Sequence, residues 1–111
     1  MSNIPVVDGV YFTSKYHILI DAKTAADTSV PSVLRAGAKY TLLSSTLGAG
    51  EEILGEVYDP ARNVWQPWYY QGQRVKLAQT QEQFFFDGAS GLVRFIKPVT
   101  SNDVGLTLFY A

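Results

Sequence analysis

The sequence predicts an all-β domain: a two-sheet antiparallel sandwich, jelly-roll-like. Three observations predict it. Short β-type runs recur between turn residues about every 8–12 positions, the spacing of a sandwich or barrel. No segment sustains a helical period. Of 111 residues, 47% are apolar and 14% aromatic, which suits one buried core and is too rich for disorder. A single domain over residues 1–111 follows, because two would each be short of core and no cysteine exists to staple them.

The runs follow in order. Val10-Tyr11-Phe12-Thr13 is the first strand, unless Ile4-Pro5-Val6-Val7 supplies an earlier edge strand or an arm reaching a neighbour. Tyr16 to Asp21 is next, with Tyr16, Ile18 and Ile20 alternating against His17, Leu19 and Asp21. Lys23 to Ser32, rich in Ala, Thr, Ser and Asp, reads as a loop or a short helical turn. Val33 to Ala36 is a short strand ending at Gly37, and Lys39 to Ser45 is a stronger one, with Tyr40, Leu42 and Ser44 on one face. Leu47-Gly48-Ala49-Gly50 is a turn, and Ile53 to Asp59 is a strand. Asp59-Pro60-Ala61-Arg62-Asn63 is a reverse turn with Pro at its second position. Val64 to Tyr70 runs into a hairpin turn at Gln71-Gly72-Gln73. Arg74 to Ala78 alternates, Phe84-Phe85-Phe86 stops at Asp87-Gly88, Leu92 to Ile96 stops before Pro98, and Val104 to Tyr110 closes the chain.

Composition excludes several functions. Nine basic and ten acidic residues leave a net charge of -1 with no basic run, so neither nucleic acid nor an anionic membrane is an expected partner. Without cysteine there is no disulfide, thiolate metal site or cysteine nucleophile. The start, Met1-Ser2-Asn3-Ile4-Pro5, has neither a basic nor an apolar signal region, so synthesis in a cytoplasm is expected.

Catalytic candidates are weak. His17 is the single histidine and sits mid-strand, without the nucleophile and orienting acid that catalysis needs or a second imidazole for a metal. Of the ten acids no pair stands out as a glycosidase couple, and Asp8, Glu51, Asp59, Asp87 and Asp103 lie in or beside turns, where such side chains serve their own backbone. Leu47-Gly48-Ala49-Gly50-Glu51-Glu52 lacks the lysine of a phosphate loop, and its glutamates would repel phosphate. No enzyme activity, cofactor or metal is expected.

The aromatics carry the most information. In Val64-Trp65-Gln66-Pro67-Trp68-Tyr69-Tyr70, an extended chain points Trp65, Pro67 and Tyr69 one way and Trp68 and Tyr70 the other. A sandwich strand has only one dry face, and Phe85 stands opposed to Phe84 and Phe86 in the same manner. Either a bulge or Pro67 gathers these rings into one core, or some are anchors for a partner. Trp65, Trp68, Tyr69, Tyr70 and Phe85 are therefore the interface candidates. As a sugar platform, Trp65, Trp68, Tyr69 and Tyr70 would stack on rings while Gln66, Gln71 and Arg74 hydrogen-bond.

Two stretches carry a family resemblance. Gly91-Leu92-Val93-Arg94-Phe95-Ile96-Lys97-Pro98 with Ser101-Asn102-Asp103-Val104-Gly105-Leu106-Thr107-Leu108-Phe109-Tyr110 resembles the closing strands of tailed-phage capsid decoration proteins, and Leu34 to Leu42 resembles a strand pair in the same group. The likeness is greatest to the cement or staple type of short-tailed Salmonella phages. It implies a jelly roll on the outer capsid surface of the virion, a homodimer clamping neighbouring major capsid proteins, and no chemistry. It transfers no residue roles. The alternative is a carbohydrate-binding β-sandwich module.

Overall fold

A computed structural model describes residues 6–7, 10–11, 15–88 and 91–110. Its strands are β1 (Val6–Val7), β2 (Val10–Tyr11), β3 (Tyr16–Lys23), β4 (Asp27–Thr28), β5 (Ser32–Leu34), β6 (Lys39–Ser44) and β7 (Glu52–Asp59). They continue with β8 (Val64–Pro67), β9 (Tyr69–Tyr70), β10 (Gln73–Arg74), β11 (Lys76–Ala78), β12 (Gln83–Asp87), β13 (Gly91–Lys97) and β14 (Val104–Tyr110). The fold is all-β and antiparallel. Of the first expected strand only Val10–Tyr11 is described, paired with Val6–Val7; Phe12, Thr13, Ile4, Pro5 and the Asp8 turn lie outside the described residues.

The first sheet has the order β12-β6-β14-β3. The second has β11-β7-β13-β4, with β5 also on β13 and β8 on β7. Strand pairing runs from the outside of the sequence inwards: β3 with β14, β4 and β5 with β13, β6 with β12, β7 with β11. Successive pairs alternate between the two sheets. This is a long hairpin rolled up on itself, a jelly roll, with β8 to β10 inserted between β7 and β11.

Period-two alternation builds the core. The first sheet sends Ile20, Tyr40, Leu42, Phe84, Phe86, Val104, Leu106 and Leu108 inward, and the second answers with Ile53, Leu77, Val93 and Phe95. Burying a side chain of this size contributes about 1.5–3 kcal/mol. Tyr40 and Leu42 share the inner face of β6 as the alternation expects.

Two departures have local causes. In β3 the register skips between Leu106 opposite Ile20 and Thr107 opposite Ile18, so Leu19 is an extra residue and the facing reverses across it. Ile20 is buried while Ile18 is exposed, although simple alternation puts them together. Second, the stretch read as a loop from Lys23 to Ser32 contains β4, because β13 offers Asp27 and Thr28 partners in Lys97 and Ile96. Composition does not reveal a pairing supplied from so far along the chain.

One end of the sandwich is tied by charged groups. Lys97, at the end of β13, is buried and donates from Nζ to the carbonyls of Ala25 (2.7 Å) and Pro98 (3.1 Å). Burial pushes its ammonium below the usual lysine range; Lys23 adds to this, and Glu51, Asp27 and Asp103 oppose it. The Glu51 carboxylate accepts from Gly48 N (2.7 Å) and Ser101 N (2.8 Å), joining two loops. Those backbone donors, Gly48 first, hold its pKa below the ordinary 4.5. The folded pKa is depressed, so this contribution is present above pH 4.5 and is lost as pH falls through the folded value. Urea midpoints measured from pH 7 downward should therefore fall less steeply in Glu51→Gln than in the parent, with the two curves converging in acid.

Candidate protein-docking face

The Trp-rich segment divides between inside and outside. β8 pairs with the end of β7, setting Trp65 opposite Tyr58 and Pro67 opposite Glu56. Trp65 lies half-buried on the outer face of the second sheet, 5.3 Å from the Tyr58 ring. The Arg94 guanidinium sits 4.3 Å above its centroid, and Arg94 Nε donates to Glu56 Oε1 at 2.8 Å. A half-buried cation over an indole is worth about 1 kcal/mol. Arg94→Met should lower stability by about that much, read as a lower urea midpoint at unchanged slope.

At Trp68 the strand is interrupted. Trp68 N donates to Gly55 O (3.1 Å) and Val75 N to Trp68 O (2.9 Å), which hooks the segment over β7. The indole rests on Gly55, where a Cβ would lie 3.1 Å from the ring, and meets Phe86 edge-on at 5.0 Å and Phe95 at 6.1 Å. Tyr70 stacks edge-on against Phe84 and Phe86, and its Oη accepts from Asp87 N (3.1 Å). The expected alternation holds, and Trp68 and Tyr70 are the set that packs on the core. Of the five candidates, Tyr69 (61%) and Phe85 (58%) are the exposed rings, with Arg74 6.0 Å from the Tyr69 centroid. Trp65, Trp68, Tyr69 and Tyr70 thus present no common plane to a sugar.

Phe85 leads to a surface that the sequence did not single out. On the outer face of the first sheet the register aligns Tyr16, Phe109, Thr41 and Phe85 in a row across β3, β14, β6 and β12. A second row beside it holds Ile18, Thr107, Leu43 and Gln83. Neither row contains a charge. Tyr16 is 50% and Ile18 60% exposed, and Tyr16 and Phe109 meet at 5.7 Å. A depression of about 370 Å³ opens between Ile18, Leu43, Thr107 and Phe109, with Asp21, Ser44 and Ser45 on its far side. Beyond the rows, Lys39 and Asp87 form an exposed ion pair at 3.1 Å. An apolar centre with side-chain relief and a charged rim is the anatomy of a protein interface. The signal missed was Tyr16 and Ile18, whose outward facing depends on the Leu19 bulge.

The other candidate groups serve the fold. His17 stacks on Tyr110 at 5.2 Å. Asp59 Oδ1 accepts from Ala61 N and Arg62 N, capping its own turn. In the glycine loop, the Gly48 N–H that a phosphate would want is taken by Glu51. Among the described residues no three His, Cys, Asp or Glu side chains gather as a metal site.

No family model matches the chain, and no curated protein matches it in sequence. Among solved structures, its fold is similar to that of the SPBc2 prophage-derived protein YomS. The TM-score is 0.66 at 16% identity, over 87% of this chain and 92% of that one.

Proposed function

We propose that the chain is a structural virion protein of a tailed phage that decorates the outer capsid surface. It binds the major capsid protein through the outer face of the first sheet and clamps neighbouring copies together. The observation that carries this reading is that face, with Tyr16, Ile18 and Phe85 each half or more exposed on two uncharged rows bordered by Asp21 and by the Lys39–Asp87 pair. The resemblance of the closing strands to decoration proteins supports it, and so does a fold shared with a prophage-derived protein.

The energetics suit the role. A ligand that binds the assembled shell and not its parts stabilises the shell by mass action, and a modest contact repeated over many copies suffices. A net charge of -1 lets many copies sit close together. The chain acts as a homodimer of isologous two-fold pairs, needs no cofactor, and engages neither nucleic acid nor membrane. Co-sedimentation with purified shells of the encoding phage tests this. Saturable binding that raises the shell's disruption temperature is expected. No binding, together with glycan-array signal, would replace this reading with the carbohydrate-binding module.

A further inference from the structure

We infer that the opening between the two sheets, where the edge strand β3 faces β5, binds a small organic anion carrying a carboxylate or a phosphate. The site stands apart from the docking face, which lies on the other side of the first sheet, and does not depend on what that face binds.

The sequence leaves this corner open. His17 pairs with Leu108 across β3 and β14, so it shares the inner side of the sheet with a buried leucine. Elsewhere apolar side chains fill that side. Here a histidine stands in place of one, and Lys15, two residues earlier, follows it. The facing strand, β5, is only three residues long. Between them lies a cavity of about 750 Å³, lined by Lys15, His17, Arg35, Tyr40 and Tyr110 with Val33 as an apolar wall. That volume exceeds the needs of a bare inorganic ion and suits a small organic ligand.

The charged lining is all of one sign. Arg35 comes from the side of the second sheet, Lys15 from the first, and among the described residues no Asp or Glu lines the cavity. In a chain of net charge -1 this is a local surplus of positive charge. Of the four arginines, Arg62 pairs with Asp59, Arg74 donates to Gly55 O and Arg94 pairs with Glu56. Arg35 is the one whose guanidinium makes no hydrogen bond or ion pair with a described residue. Tyr40 adds a second unmet donor. It is 6% exposed, its Oη accepts from Arg35 N at 2.9 Å, and its own proton has no acceptor among the described residues. A buried hydroxyl in that state gains from an incoming oxygen. A carboxylate or phosphate answers both groups, since its oxygens match the forked N–H pair of a guanidinium.

The turn that carries Arg35 is fixed in advance. Ala38 N donates to Arg35 O (3.3 Å), Gly37 takes a φ of 82°, and Gly37 N donates to Gly88 O (3.2 Å). Arg35 O packs so closely on Gly88 that a Cβ there would lie 2.1 Å from it. The Tyr40 ring is held by stacking on Phe86 at 5.1 Å. Binding therefore has little to order beyond the Arg35 side chain, which keeps its entropy cost low.

Chemical-shift titration of the full chain in a phosphate-free buffer tests this, with succinate and glycerol 3-phosphate as probes. Glycerol, and sodium chloride at matched ionic strength, are the controls. Saturable shifts at the amides of His17, Arg35 and Ala36 are expected with one probe or both, and the tighter probe identifies the acid group. Arg35→Gln should weaken that binding at least about tenfold, the contribution of a charge-assisted hydrogen bond. Tyr40→Phe keeps the ring and should weaken it about fivefold, the contribution of a neutral one. Arg62→Gln, in an exposed turn outside the cavity, should bind as the parent does. Shifts no larger than those sodium chloride produces would overturn the inference. So would unchanged affinity in Arg35→Gln, or equal weakening in Arg35→Gln and Arg62→Gln. Should Tyr40→Phe not fold, Arg35→Gln decides, because the Arg35 side chain is exposed and forms no part of the core.

Discussion

Trp68→Ala is expected to destabilise the domain by about 3 kcal/mol, the largest stability effect of any single ring in the Trp-rich segment. The indole meets Phe86 and Phe95 and covers the backbone of Gly55. Truncation loses this contact and opens a cavity that the β7 and β11 backbones are too constrained to fill. Equilibrium urea unfolding followed by circular dichroism measures it. Trp65→Ala is the comparison: Trp65 lies on the outer face, and its loss should cost markedly less. Equal costs would mean that Trp68 does not close the core.

The second large effect is on binding rather than folding. Ile18→Asp combined with Phe85→Asp should abolish decoration of shells while the urea midpoint stays close to that of the parent. Both side chains are more than half exposed, so the folded domain loses little packing. Docking would instead have to bury two carboxylates without partners. Interface anchors of this type are worth at least about 2 kcal/mol each, so the pair should weaken binding more than 100-fold. Co-sedimentation at matched concentrations reads it. Undiminished decoration would show that the shell meets a different surface.

These predictions separate residues that local sequence treats alike. Trp65 and Trp68 are three positions apart, and alternation correctly assigns them to opposite sides. It does not say which side is wet. That was decided when Trp68 N bonded Gly55 O and the segment hooked over β7. Tyr16 and Ile18 were legible as strand residues and not as a surface, because the Leu19 bulge that turns them outward exists only in the pairing of β3 with β14. Phe85 was legible, since its neighbours Phe84 and Phe86 left it no room on the dry face. Lys97 was not, because a lysine is buried only where carbonyls meet its ammonium, and one of the two here, that of Ala25, comes from far along the chain.

The sequence by itself determined an all-β chain, most of its strands and turns, and the absence of cysteine chemistry. Period-two alternation and turn residues are local properties, encoded within a few positions of one another. Tertiary structure alone decided the rolled pairing of β3 with β14, which aromatic set enters the core, and the largely apolar face across β3, β14, β6 and β12. Each of these depends on residues far apart in the chain meeting in one register, and a single bulge can reverse which face a side chain joins.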